Sequence, residues 1–137
     1  MHLGITGTRK GMTEAQFNVI KALITEDDCV THLHEGDCIG VDAQLTHMYQ
    51  VLRPEVKIVR HPPIKKNSQY GGYYDETREP KGYLERDKDN VNESEYLWAV
   101  PDGPEKIRSG TWTTVRYARQ KGIPIAIILP SGGVIYE

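Results

Sequence analysis

Leu3-Gly4-Ile5-Thr6-Gly7-Thr8-Arg9-Lys10-Gly11 begins as a short apolar run and closes in a glycine-bearing turn, and Thr13-Glu14-Ala15-Gln16 follows almost at once. The apolar run reads as a strand over residues 3–6, and the glycines mark the loop that leaves it. Thr13 and Gln16 have the spacing of a capping box, in which the N-cap hydroxyl and the N3 side chain satisfy each other's backbone donors. Behind them Phe17, Ile20, Leu23 and Ile24 recur at helical spacing, so residues 14–25 are expected to form a helix with one core face.

The same unit recurs along the chain. Residues 30–34 read as a second strand, ending in Glu35-Gly36-Asp37-Cys38-Ile39-Gly40. Val41-Asp42-Ala43 opens a helix with Val41, Leu45, Met48 and Leu52 on one side, which Pro54 stops. Residues 56–60 form a third strand. The stretch 62–82 breaks the rhythm: Tyr70, Tyr73, Tyr74 and Gly71-Gly72 stand among polar residues with no clean period. A connection this long inside a compact domain is usually functional or mobile, and its tyrosines could stack a base, pack at a surface or make a dimer contact. Tyr83–Asn92 resumes a helix, and Tyr96–Val100 is a fourth strand ending at Pro101-Asp102-Gly103-Pro104. Ser109-Gly110-Thr111 precedes a helix over 112–120, which Gly122 ends. Residues 123–129 are a continuous apolar run, as in a strand buried on both faces, and Val134–Tyr136 adds an edge strand. Strands alternating with helices imply parallel pairing through right-handed crossovers, with the ligand site at the carboxyl ends of the strands.

Length and composition narrow the class. The chain has 137 residues, 17 Lys and Arg against 19 Asp and Glu, and a formal charge of −2. That suits a single domain with its own core. It argues against a broad non-specific nucleic-acid surface. No apolar run approaches the roughly 18–20 residues of a membrane span, and the start of the chain carries no secretion signal, so a cytoplasmic protein is expected. Cys29 and Cys38 lack a metal spacing and read as free thiols. His2, His32, His34, His47 and His61 form no metal-binding pair by spacing, although His32 and His34 share one strand face; no metal and no cofactor are expected.

Three glycine-bearing loops fall on the same sheet edge, and each offers chemistry. Gly7 lets a ligand approach backbone N–H groups, Thr8 adds a hydroxyl and Arg9 a planar fork that matches phosphate. Ser109, Gly110, Thr111 and Trp112 begin a helix, where free N–H groups and the dipole favour an anion; Ser109 can also serve as the N-cap. The middle loop is acidic: Glu35, Asp37 and Asp42, around Gly36 and Gly40, suit sugar hydroxyls or act as a base or nucleophile. Asp37 can equally make a turn, and Asp42 can serve the helix dipole. Arg86, Asp87 and Asn90 fall on one helical face, with Arg86 and Asp87 a candidate ion pair.

Together these loops resemble the SLOG superfamily, which contains the DNA-processing protein A and Lonely Guy families. Ser109-Gly110-Thr111-Trp112-Thr113-Thr114-Val115-Arg116-Tyr117-Ala118, with Gly122 and the strand to Pro130, is similar to the Ser-Gly-Ser/Thr…Thr-x-Arg-x-Ala…Gly signature of the DNA-processing branch. Residues 35–42 resemble its glycine-rich segment, with His47 near the expected histidine, and residues 4–9 resemble its first turn. Arg86-Asp87, Asn90-Val91 and Ser94-Glu95-Tyr96-Leu97 resemble its Arg-Asn/Asp helix and the strand after it. The resemblance covers nearly the whole chain except 62–82.

It implies an α/β fold, a Rossmann-like three-layer sandwich with a mostly parallel five- or six-stranded sheet, as one domain over 1–137 with an irregular insertion at about 62–82. It also implies a pocket for a nucleotide or nucleotide-derived phosphate ligand, held by Gly7, Thr8, Arg9, Gly36, Gly40, Arg86, Asn90, Pro101, Ser109, Gly110, Thr111 and Trp112. The alternatives are a nucleoside 5′-monophosphate N-glycosidase and a single-stranded DNA-binding module. The catalytic Glu of the Lonely Guy phosphoribohydrolases falls at Thr114 here, so hydrolysis would need Glu35, Asp42 or Asp87 instead. A strand-binding surface would use Lys65-Lys66, Arg108, Arg116 and Arg119. Relatives commonly pair, so a homodimer or larger assembly is expected, with Trp98, Trp112 and the insertion tyrosines as interface candidates.

Overall fold

The computed structural model describes residues 1–65 and 74–137. Tyr70, Tyr73, Gly71-Gly72 and Lys66 lie outside them. Four helices and seven strands follow in the order β1 (His2–Gly7), α1 (Glu14–Glu26), β2 (His32–Glu35), α2 (Val41–Leu52), β3 (Lys57–Arg60), β4 (Glu76–Thr77), α3 (Tyr83–Asn92), β5 (Tyr96–Val100), α4 (Gly110–Lys121), β6 (Ile125–Ile128) and β7 (Val134–Tyr136). They form one seven-stranded sheet in the order β4-β3-β2-β1-β5-β6-β7. Every pairing is parallel except β6 with β7. The α/β, Rossmann-like reading holds with more strands than expected. The addition is β4, two residues long inside the irregular stretch, too short to leave any periodic signal.

Two apolar clusters sandwich the sheet. Leu3, Ile5, Leu33, Ile58, Trp98 and Ile128 meet Ile20, Ile24, Leu45 and Tyr49 of α1 and α2 on one face. Leu97, Ala99, Ile125 and Ile127 meet Val91 of α3 and Trp112, Val115 and Ala118 of α4 on the other. Alternate residues of β5 and β6 thus enter opposite layers, as the two-residue strand period requires. The two tryptophans read as interface candidates are core residues: only 5% of Trp98 and 4% of Trp112 is exposed. Their place on strand and helix positions facing a layer explains this, since a large ring at such a position is removed from water by the fold itself.

Local chemistry sets the element ends. The Thr13–Gln16 capping box forms in both directions. Gln16 is buried and its amide nitrogen donates to the carbonyls of Pro101 and Ile128, tying α1 to the ends of β5 and β6. Ser109 caps α4 by accepting from the Trp112 N–H, and Gly122 ends it in the left-handed region. The strand order reverses between β1 and β5, so the loops after β1, β2 and β5 converge on one edge.

Gly40 locks two of those loops together. Its φ of +84° and ψ of −128° suit glycine alone, and a Cβ there would sit 2.5 Å from the Thr8 and Arg9 carbonyl oxygens. The next residue, Val41, donates its N–H to the Thr8 carbonyl. Gly40→Ala is therefore expected to lower unfolding free energy by about 2–3 kcal/mol, read by urea denaturation. Gly110→Ala, where a Cβ meets nothing within 4 Å, serves as the neutral comparison.

Candidate functional site

A cavity of about 130 Å³ opens at the carboxyl ends of β1 and β2, and its walls come from four parts of the chain. Thr6, Gly7 and Arg9 arrive from β1 and its loop, Gly36, Cys38 and Asp42 from the second loop and α2, and Gly110 and Thr111 from the start of α4. Tyr83, Arg86, Asp87 and Asn90 of α3 complete it. Beside it runs a wider groove of about 300 Å³, bounded by Thr8, Lys10, Asp102, Lys106, Arg108 and Ser109. Gly7, Arg9, Gly110 and Thr111 border both spaces, so the two are neighbouring parts of one cleft.

The floor of the cavity is charged and buried. Arg86, 6% exposed, donates to the Gly36 carbonyl and lies 2.9 Å from Asp87. It also reaches the Cys38 sulfur at 3.6 Å. Gly36 has to be glycine, because a Cβ there would collide with that guanidinium. One Asp42 carboxylate oxygen accepts from the Gly36 and Cys38 N–H groups at 3.0 and 3.3 Å. Burial pushes Asp42 up to about 6, against the pull of Arg86 and those two donors. Burial likewise raises Asp87, which is held down in part by Arg86 and by the neighbouring Thr114 side chain, whose hydroxyl donates to the Gly110 carbonyl. The Tyr83 ring lies under two cations, Arg9 and Arg86, each 5.3 Å from its centre.

The cleft thus gathers most of the residues singled out in the sequence. Others sit elsewhere. Glu35 is fully buried behind the loop and lines neither space; its Oε2 accepts from the Asp37 N–H while Oε1 has no hydrogen-bond partner among the described residues. The Pro101 carbonyl faces Gln16, and Trp112 points into the core. Gly40 shapes the Thr8–Arg9 turn from behind. Asp37 adopts a left-handed φ of 55° and receives hydrogen bonds from the Tyr74 hydroxyl and Arg60. His47 is exposed on α2 and outside both linings. Arg116 and Arg119 do not form a free basic patch: both engage Glu105, and Arg119 also engages Glu137. Conversely, Tyr83 and Cys38 were not singled out. Tyr83, Arg86, Asp87 and Asn90 stand at i, i+3, i+4 and i+7, so the helical period carried the signal for Tyr83.

Burial also raises Glu35 well above the ordinary carboxylate range, reinforced by the Asp42 charge. A raised native value favours the protonated form, so its contribution is complete below the unfolded-state value and is lost as pH climbs through the native one. Glu35→Gln is accordingly expected to unfold at higher temperature than the parent near about pH 8, with the gap closing towards about pH 5. Thermal unfolding across that range checks this, and a variant less stable at every pH would show that the ionised carboxylate is a required acceptor.

No protein-family model matches the chain, and no curated protein matches its sequence. Solved structures do. The molybdenum cofactor binding protein of the phototrophic bacterium Rippkaea orientalis superposes with a TM-score of 0.71 at 18% identity, over 93% of this chain and 76% of that one. The structural-genomics target TM1055 gives 0.61 at 14%, over 96% and 75%. DNA processing protein A from Helicobacter pylori, described with a single-stranded DNA binding mode, gives 0.59 at 17%, over 93% and 64%. With its strand order and the loops that converge on its carboxyl edge, the chain has a Rossmann-like α/β fold that it shares with these structures.

Proposed function

We propose that the cleft binds a nucleotide or a nucleotide-derived phosphate compound. The carrying observation is that Gly7 and Arg9 meet Gly110 and Thr111, a hundred residues away in sequence, around the same opening. On this reading the phosphate lies at the start of α4, where the helix offers free N–H groups and the positive end of its dipole. Arg9, Lys10, Lys106 and Arg108 supply cations along that part of the cleft. The sugar and base enter the smaller cavity, where Asp42 and Asp87 accept from hydroxyls and Tyr83 offers a ring face. Asn90 adds an acceptor: its Oδ1 is buried without a hydrogen-bond partner among the described residues, while its amide nitrogen donates to the Ile5 carbonyl. Glu35, set behind the loop, keeps the shape of this wall rather than touching the ligand.

A small ligand fits better than a nucleic-acid strand. Lys10 and Lys106 both pair with Asp102, Arg116 and Arg119 are neutralised by Glu105 and Glu137, and the whole chain carries a formal −2. The likeness to a cofactor-binding protein and to a strand-binding protein supports a binding role without choosing between the two ligand classes.

A second reading, cleavage of the N-glycosidic bond of a nucleoside 5′-monophosphate, is favoured by one observation. Asp87 lines the smaller cavity from α3 and neighbours Thr114, the position at which the Lonely Guy glutamate falls, so a carboxylate stands close to the spot where α4 lacks one. Facing the anomeric carbon, that carboxylate would stabilise an oxocarbenium-like centre while the phosphate contacts hold the sugar in place.

Thermal-shift titration with nucleoside 5′-monophosphates tests the binding. A shift matching about 2.7 kcal/mol is expected at a hundredfold excess over the dissociation constant, and Arg9→Ala is expected to weaken affinity by about tenfold or more. No shift with any phosphate compound at millimolar concentration overturns the reading, and a preference for an oligodeoxythymidine over mononucleotides assigns the cleft to single strands. Release of free base from a bound monophosphate, abolished by Asp87→Asn with binding retained, establishes the hydrolase. Binding without release leaves a binding protein.

A further inference from the structure

Four of the five histidines, from three separate stretches of the chain, gather on the sheet face beneath α3 and outside the cleft. His2 and His32 begin β1 and β2 as register partners, His34 follows on the same face of β2, and His61 comes just after β3. The His2 ring stacks on His32 with centres 4.1 Å apart. His2 Nδ1 lies 2.7 Å from His34 Nε2, and His34 Nδ1 lies 2.8 Å from His61 Nε2. His61 Nδ1 then faces Glu93 Oε2 at 3.7 Å, and the other Glu93 oxygen is held at 2.9 Å by Arg78. His34 is wholly buried and His61 is 2% exposed, whereas His2 is half-buried and reaches the rim.

The geometry separates two uses of such a cluster. The ring centres of His2 and His34 are 5.0 Å apart and those of His34 and His61 are 5.1 Å apart. Both separations exceed the corresponding N···N distances by 2.3 Å, twice the span from an imidazole centre to its nitrogen. In each pair the two nitrogens therefore lie on the line between ring centres and point straight at each other. Rings that chelate one ion instead aim their lone pairs at a common vertex off that line. Arg78 also already pairs its cation with one oxygen of Glu93.

We propose that His2, His34, His61 and Glu93 form a proton relay that crosses the buried face under α3, with both ring-to-ring hydrogen bonds directed towards Glu93 and a last step that closes the 3.7 Å from His61 Nδ1 to its carboxylate. The carboxylate favours hydrogen on His61 Nδ1, which leaves His61 Nε2 bare to accept from His34 Nδ1–H. His34 Nε2 then accepts from His2 Nδ1–H, so all three rings share one tautomer. A proton taken from water at His2 Nε2 moves on as each Nδ1–H bond breaks and each Nε2–H bond forms, and Glu93 receives the last one. No oxidation or other co-reactant is involved, and each ring ends neutral with its hydrogen on the opposite nitrogen. Burial lowers His34 to about 3 and His61 to about 4, which keeps both rings neutral in the resting state.

The charged surroundings are His32, Glu76 and Lys57 at the rim, with the N-terminal ammonium beside Thr31, and Arg78, Arg86, Asp89 and Glu93 at the far end. A proton arriving on Glu93 weakens its hold on Arg78, whose backbone N–H bonds to the Arg60 carbonyl and whose side chain also pairs with Glu76 of β4. The relay thereby links acidity at the rim to the tie between β4 and α3. It does not depend on what the cleft binds.

Long-range ¹H–¹⁵N NMR of the full chain labelled with ¹⁵N-histidine reads the tautomers directly. At neutral pH His34 and His61 are expected to carry hydrogen on Nδ1. In Glu93→Gln, whose amide both donates and accepts, the Nε2–H form is expected to appear in both rings together. His2→Phe keeps an aromatic ring against His32 but removes the wet end, and is expected to slow exchange of the His34 ring proton about tenfold. An Nε2–H form of either ring in the parent, unchanged tautomers in Glu93→Gln, or unchanged exchange in His2→Phe overturns the relay. So does one equivalent of bound Zn²⁺ that is lost in His34→Asn, which would establish a chelate.

Discussion

One buried guanidinium organises the carboxyl edge of the sheet. Arg86 comes from α3, donates to the Gly36 carbonyl after β2, pairs with Asp87 on its own helix and lies among charges that include Asp42 at the start of α2. Taking such a charge out of water costs several kcal/mol, and removing one partner of a buried pair typically costs about 3–5 kcal/mol because the other is left uncompensated. The contacts around Arg86 follow from that penalty. Gly36 lacks a side chain so that the guanidinium can approach, and Asp42 is turned inward with two backbone donors on one oxygen. The cavity floor is therefore rigid for an electrostatic reason, and it is rigid where a ligand would need fixed acceptors.

The two halves of this edge differ in their balance of charge. Asp42 and Asp87 stand with Arg9 and Arg86 around the smaller cavity, while Arg9, Lys10, Lys106 and Arg108 outnumber Asp102 along the wider groove at the start of α4. A ligand with an anionic end and a hydroxyl-rich end matches that division, and one with charge repeated along its length does not. Arg9 stands at the junction and lies over the Tyr83 ring, so the same side chain borders both halves. The histidine row uses the same sheet face nearer the rim. There the polar rings on β1, β2 and the residue after β3 satisfy one another.

Gly4 shows how closely α3 lies on that face. A Cβ at this position would meet Ser94 Oγ and Asn90 Oδ1, so the middle of β1 is open to the helix that carries the cavity residues. Asn90 fills the space and donates back to the Ile5 carbonyl, a bond to a strand residue rather than to its own helix. The position of Tyr83, Arg86 and Asp87 over the strand ends thus rests on a missing side chain in β1.

The sequence by itself determined the alternation of strands and helices, the capping of α1 and α4 and the convergence of three loops, because each is written in local periodicity and turn chemistry. Tyr83–Asn92, Tyr96–Val100 and Val134–Tyr136 have the same bounds in sequence and structure. What only the tertiary structure decided is which polar groups face the cleft and which serve the scaffold. Glu35 and Asp42 look alike in sequence, yet one lies behind the loop and the other beneath the cavity. Arg116 and Arg119 read as a basic patch until Glu105 and Glu137 are seen beside them. Trp98 and Trp112 read as surface until the layers close over them. Local spacing fixes a residue's side of a helix or strand, but its partner comes from a distant segment, and burial and charge neutralisation depend on that partner.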